Sequence, residues 1–175
     1  MKQLVLVACG MLLLTACTAQ EKIEENKIVW LSFEEAVALG EKAPKKLLID
    51  VYTDWCGWCK RMDKTTFADS LVIKEINEHF YPVKLDAESK DTVRFRDQVF
   101  VYKPEYKANE IALSLLNGKM SYPSYVFLDE TFNMISPVAG YKTPEQMMPL
   151  LDYFSDNIYK KKEWEQYLSE IGSVK

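Results

Sequence analysis

Two cysteines stand two residues apart in Trp55-Cys56-Gly57-Trp58-Cys59-Lys60, just after the apolar run Leu47-Leu48-Ile49-Asp50-Val51-Tyr52. That run predicts a central strand buried on both faces, with one conspicuous charge, Asp50. Helical pattern resumes at Gly57, so the cysteine pair falls where a strand hands over to a helix. At a helix N-terminus, unpaired backbone N–H groups and the helix dipole stabilise negative charge, and the Cys56 thiol should ionise more readily than a free one. A thiolate is the nucleophile of disulfide exchange. Cys59, one turn on, is close enough to close a ring with Cys56 and release a mixed-disulfide partner.

Two other uses of such a pair compete with this one. The chain has four cysteines and one histidine. A zinc or iron–sulfur site would need two further soft or imidazole ligands, and once a leader is removed the chain offers only Cys17, at the end of the tether, and His79, so no metal is expected. A purely structural disulfide is the other possibility, but a two-residue spacer closes too small a loop to restrain the unfolded chain much. Redox exchange through the sulfurs themselves, with no cofactor, is the favoured reading.

Length and composition bound the elements that position this pair. A chain of 175 residues with 48% hydrophobic, 13% aromatic and 27% charged residues reads as one globular domain with an ample core, not as a repeat array or a disordered segment. With 22 basic against 26 acidic residues the net charge is −4, which argues against nucleic acid as a partner.

The N-terminus has its own logic. Lys2 followed by an apolar stretch over residues 4–14 has the form of a secretory signal and is too short to span a bilayer. It ends in Leu14-Thr15-Ala16-Cys17, which resembles the lipobox of bacterial lipoproteins, in which the cysteine is lipidated. Expected boundaries are therefore a signal peptide over residues 1–16, a lipidated Cys17 and flexible polar tether over 17–27, and a folded domain over 28–175.

Within that domain, Ile28-Val29-Trp30-Leu31 predicts a short strand. Ser32 and Glu35 form a capping box for a helix to about Gly40. After the cysteines, Val72, Ile76 and Phe80 recur every four residues, with Asp69 and Ser70 as a cap or bend, and 81–86 reads as a strand. Ala108, Ile111, Ala112, Leu115 and Leu116 predict a helix stopped at Gly118, whereas 98–102 is either strand or loop. Residues 124–128 and 134–139 read as paired strands, the second placed at an edge by Pro137. Thr143, Pro144 and Gln146 open a last helix whose stripe runs through Met147, Leu150, Leu151, Phe154 and Ile158, extended by Trp164, Tyr167, Leu168 and Ile171, with Pro149 expected to kink it. The order is β-α-β-α-β-α-β-β-α, an α/β layer arrangement.

The run 48–60 and the Tyr122-Pro123 pair ahead of a strand resemble the thioredoxin superfamily. The likeness extends over roughly residues 28–158, and Asp54-Trp55-Cys56 with Lys60 and Thr65-Thr66-Phe67-Ala68-Asp69 is similar to thioredoxin-like lipoproteins and to the C-terminal periplasmic domain of the transmembrane thiol:disulfide interchange reductase. The resemblance implies a thioredoxin-like fold, a central mixed sheet flanked by helices. It implies Cys56 as nucleophile, Cys59 as resolver and Asp50 as a buried carboxyl of raised pKa that exchanges a proton with Cys59. It further implies Lys84 facing Asp50 from the next strand, a cis Pro123, and substrate binding by Trp55, Gly57, Trp58, Tyr122 and Pro123.

Trp58 and Tyr122 depart from the family's usual proline and small or β-branched residue. Aromatic residues Phe95, Phe100, Tyr102 and Tyr106, in a stretch longer than a minimal member needs, read as core more than as a partner ledge. The expected activity is an extracytoplasmic, lipid-anchored thiol:disulfide oxidoreductase, more a reductase than an oxidase, acting on disulfide- or thiol-containing envelope proteins and recharged by a redox partner. The alternative is a thioredoxin-like envelope binding module whose Cys56–Cys59 bridge is static.

Overall fold

The computed structural model describes residues 26–172. The expected signal segment, Cys17 and most of the tether lie outside the described residues. In chain order the elements are α1 (Phe33–Lys42), β1 (Lys46–Tyr52), α2 (Gly57–Lys64), α3 (Ser70–His79), β2 (Phe80–Asp86), β3 (Val93–Phe95), β4 (Gln98–Phe100), β5 (Tyr102–Lys103), β6 (Ala108–Asn109), α4 (Glu110–Leu115), β7 (Ser124–Leu128), β8 (Met134–Ala139), α5 (Pro144–Ser155) and α6 (Trp164–Ile171). Single 3₁₀ turns lie at Thr66–Ala68 and Ile158–Lys160.

The main sheet has the order β2-β1-β7-β8, with β1 parallel to β2 and the other two pairings antiparallel. Its centre is β1, whose apolar sequence is buried on both faces. Side chains alternate along a strand, so Leu48 and Asp50 point to one face and Leu47, Ile49 and Val51 to the other. Leu48 joins Met62, Phe67, Ile76, Phe80, Tyr125, Phe127, Leu151 and Phe154 in a cluster under α2, α3 and α5. Leu47, Ile49 and Val51 join Phe33, Ala36, Val83, Ile111, Ala112, Val126 and Leu128 under α1 and α4. Asp50 is therefore carried into the layer that also contains α2, and with it the cysteines.

Local signals fix most helix starts. Ser32 caps α1 in the expected box, its N–H donating to Glu35 Oε2 at 2.8 Å and its hydroxyl accepting from Glu35 N at 3.2 Å. Asp69 caps α3, its Oδ1 accepting from Leu71 N at 2.9 Å and Val72 N at 3.2 Å. This separates α2 from α3, and Phe80, expected as the last helical apolar residue, instead opens β2. Thr143 N donates to Gln146 Oε1 at 3.0 Å at the start of α5, and that helix runs past Pro149 to Ser155. β8 lies at the sheet edge, as Pro137 requires.

Further expectations are corrected. The strand expected over 28–31 reduces to one bridge, Leu31 to Val83, with Leu31 N donating to Pro82 O at 2.9 Å and Lys84 N to Leu31 O at 3.2 Å. Pairing stops because Ser32, the next residue, already caps α1; Ile28 and Trp30 are held by side-chain packing instead. The stripe expected as one helix from Thr143 onward is broken at Asn157, whose φ is 57°, and resumes as α6. Trp164 and Tyr167 still reach the core by ring contacts with Tyr153 at 5.1 and 5.4 Å, so the stripe predicted burial correctly and continuity wrongly.

The region 90–118 folds as two small hairpins, β3–β4 and β5–β6, followed by a short α4 that begins at Glu110; Ala108 belongs to β6. Phe95 packs edge-on against Phe33 at 5.2 Å and Phe132 at 6.1 Å, and Phe100 lies against the same cluster. Tyr106 is exposed.

Candidate active site

The strand β1 ends at Tyr52, and a turn closed by Cys56 N donating to Thr53 O at 3.1 Å turns the chain into α2. Cys56 is the N-cap of that helix, and its Sγ accepts from Cys59 N at 3.0 Å. The sulfur therefore occupies the anion-favouring position that the sequence predicts. Cys56 and Cys59 are joined in a disulfide with Cα atoms 5.3 Å apart. Both residues are buried, at 4% and 2% exposure, and open space surrounds the position a Cβ would take on Gly57 between them.

Asp50 sits opposite Lys84 of β2 and Tyr125 of β7 in the ladders. Its Oδ2 accepts from Lys84 Nζ at 2.6 Å, while Oδ1 is buried with no hydrogen-bond partner among the described residues. Burial pushes the Asp50 carboxyl up to about 6 against the opposing attraction of Lys84, and Asp63 adds to the rise. Lys84 also binds Asp63 of α2, and its ammonium faces the rings of Trp30, Tyr52 and Phe67 at 4.9, 5.1 and 5.4 Å. Desolvation works against that charge, but Asp50 and Asp63 together hold the ammonium above its ordinary value.

Two exposed tryptophans rim the disulfide. Trp55 meets the Tyr122 ring edge-on at 5.7 Å and donates Nε1–H to Glu88 Oε1 at 3.0 Å. Trp58 stacks obliquely on Tyr141 at 5.3 Å, and the Arg61 guanidinium lies 5.4 Å from the Trp58 ring and 5.6 Å from that of Tyr141. The Tyr122–Pro123 peptide bond is cis, and Pro123 O accepts from Gly140 N at 2.8 Å, which ties this loop to the end of β8. Partial burial, with Glu88 and Asp86 nearby, pushes the Tyr122 hydroxyl up to about 12, so it stays protonated at neutral pH.

The structure thus brings Cys56, Cys59, Asp50, Lys84, Trp55, Gly57, Trp58, Tyr122 and Pro123 into one neighbourhood. Sequence reasoning missed four others there: Asp63, Arg61, Tyr141 and Glu88. Asp63 had a usable signal, since it follows Cys59 by four residues and so lies on the same face of α2. Arg61 follows Trp58 by three, a similar signal. Tyr141 and Glu88 arrive on loops from distant sequence and had none. A separate group, Glu75, Glu78 and His79, brings three ligand atoms within 4.8 Å of one another on α3, away from the elements that carry the cysteines.

A bonded cysteine pair capping a helix makes sulfur the reacting atom, and on this sheet it defines a thiol:disulfide oxidoreductase. A family model described as a thioredoxin-like domain matches residues 33–155, and the chain belongs to that family.

Thiol:disulfide interchange protein DsbD from Vibrio vulnificus is 36% identical over 45 residues, covering 26% of this chain and 8% of the relative; the same protein from Pseudoalteromonas atlantica matches equally. The likeness thus spans under a tenth of these curated relatives' length. A candidate disulphide-isomerase from Bacteroides thetaiotaomicron, solved in solution, is 27% identical, with 78% of this chain and 98% of that one covered and a TM-score of 0.54. A thioredoxin from Thermus thermophilus shares the fold at 15% identity, covering 73% and 87%, with a TM-score of 0.56. No helix among the described residues is long and apolar enough to cross a membrane.

Proposed function

We propose that this protein is an extracytoplasmic reductase of protein disulfides, held to a membrane by a lipid on Cys17, with Cys56 as nucleophile, Cys59 as resolver and Asp50 as the proton acceptor and donor for Cys59. The observation that carries the reading is the Cys56 sulfur at the cap of α2, in the same layer as a buried carboxyl with one oxygen unpartnered. Starting from the dithiol, the Cys56 thiolate attacks one sulfur of a substrate disulfide, and the substrate's other sulfur leaves and takes up a proton. Asp50 accepts the Cys59 proton. The Cys59 thiolate then attacks Cys56 Sγ, breaking the mixed disulfide, and the second substrate sulfur leaves as a thiol. The substrate has gained two electrons and two protons, and the Cys56–Cys59 bond has formed; a dithiol redox partner must reverse that oxidation before the next turnover.

Trp55, Gly57, Trp58, Tyr122 and Pro123 form the surface on which the substrate segment lies, and Lys84 supports the proton step by sharing its charge with Asp50. The reductase direction rests on Gly57 and Trp58, which add no charge to favour the thiolate in the way a strong oxidant needs. Export and anchoring rest on the leader and on Leu14-Thr15-Ala16-Cys17.

The test is a pair of variants. Cys56→Ser should abolish reduction of an insulin-like disulfide, because a serine hydroxyl is hardly ionised near neutral pH and forms no mixed disulfide. Cys59→Ser should accumulate covalent partner complexes that dissolve on adding reductant. Undiminished activity in the first variant overturns the assignment, and an absence of trapped species in an envelope extract favours a static bridge. In glutathione buffers the potential should fall at roughly −270 to −180 mV; a value above about −140 mV would mark an oxidant instead.

A further inference from the structure

Arg61 is an exposed cation on α2, three residues after Trp58 and thus its neighbour on the helix surface. Its guanidinium lies against the faces of both Trp58 and Tyr141, which are themselves in contact. Thr65 and, more weakly, Arg61 also bond to the Tyr141 hydroxyl and so lower its pKa, but the guanidinium carries five N–H donors, which leaves others to bind an acceptor, and a side chain already ordered loses little freedom when it does so. Among the described residues no carboxylate pairs with Arg61; Asp63, the one acid on α2, is bound by Lys84.

Around Trp55 the charge has the other sign. There Trp55 is bonded to Glu88, and Tyr122 is flanked by Glu88 and Asp86. Along the chain the bonded cysteines are thus accompanied by an aromatic pair that carries a cation, Trp58 and Tyr141, and by an aromatic pair that carries acids, Trp55 and Tyr122.

On the reading of Cys56 as the exchanging sulfur, we propose that Arg61 is a specificity-determining residue and that the favoured substrates are polypeptides with a carboxylate side chain close to the reacting cysteine. Arg61 lies five residues beyond Cys56 on α2, a rise of about 7.5 Å along the helix axis, which about two extended residues would span. The acid is thus one or two residues from the substrate cysteine, over the Trp58–Tyr141 pair. An acid directed toward Glu88 is repelled, so the same pair of charges also sets which way the segment runs across the site.

The experiment follows dithiothreitol-driven reduction, by the protein described, of symmetrical disulfides of one short peptide in which the residues flanking cysteine on each side are Glu, Gln or Lys. For wild type at low salt, kcat/KM should rank Glu above Gln above Lys, each step about two- to five-fold, the range of an exposed ion pair. Arg61→Met keeps the apolar stem and should bring the Glu-to-Lys ratio close to one. Arg61→Glu should invert it, and about 0.5 M salt should compress the wild-type ratio because the charges are exposed. An unchanged melting temperature in both variants keeps these ratios interpretable as recognition. Equal rates for the three peptides in wild type, or a ratio unchanged by Arg61→Met, overturns the proposal while the exchange reading stands. No reduction of any of the peptides overturns the exchange reading and takes the proposal with it.

Discussion

Asp50 is the residue proposed to move the Cys59 proton, and its environment decides when it can. Its carboxyl is held at about 6 in the fold, against about 3.9 in an unfolded chain, so the folded state holds that proton more tightly. The stability this lends is complete below about pH 4 and is lost as pH rises through about 6. Asp50→Asn removes the dependence. Relative to wild type, the variant should gain roughly 2–3 kcal/mol between about pH 4 and pH 7, read from urea denaturation at the two values. Turnover should move the other way. The ratio of wild-type to variant rates for release of the mixed disulfide should climb with pH through about 6 as wild-type Asp50 becomes able to accept the Cys59 proton, whereas a flat ratio near one would leave Asp50 a structural residue. Asp50 was legible as the one charge in an apolar strand, and Lys84 only through the family resemblance; the parallel register places the two side by side. Asp63 had its spacing from Cys59 as a signal, but its partner Lys84 reaches it from a different element and so gave none.

At the scale of elements, the site depends on a helix that begins on a cysteine and ends before the next helix starts. Asp69 enforces the second condition by satisfying two backbone N–H groups at the start of α3. Asp69→Ala should cost about 1 kcal/mol, within roughly 0.5–2, seen as a lower thermal midpoint. Peptide disulfide reduction at 25 °C should be little changed, since neither sulfur is touched. Elements with side-chain start signals were readable to within a residue or two: α1 from Ser32 and Glu35, α5 from Thr143 and Gln146. The stretch 28–31 and the break at Asn157 were not, because a single bridge and a left-handed residue leave no periodic trace in apolar pattern. The hairpins of 93–109 are two or three residues a side, too short for alternation to declare itself.

Across the whole molecule, the two clusters on either side of β1 hold the sheet between layers of helix. Phe127 lies near the middle of one, stacked on Phe154 at 4.0 Å and edge-on to Phe80 at 5.8 Å. Phe127→Ala should cost about 3–5 kcal/mol, measured by urea unfolding, because the transfer and cavity penalties add where three elements meet. The layer order itself was visible from the alternation of apolar runs and helical stripes, and so was the shared burial of Leu151, Phe154 and Tyr167; the break that divides that stripe into α5 and α6 was not. Another property of the sheet concerns the company this protein keeps. If it reduces protein disulfides, as proposed, it works among polypeptides that are losing their own restraints, and a bare strand edge in such surroundings is a seed for shared sheets. One border is met by Leu31, and the other, β8, carries Pro137, which offers no N–H to a newcomer. Pro137→Thr should therefore scatter more light than wild type when each is incubated with reduced, unfolded client protein, marking Pro137 as a guard against co-aggregation.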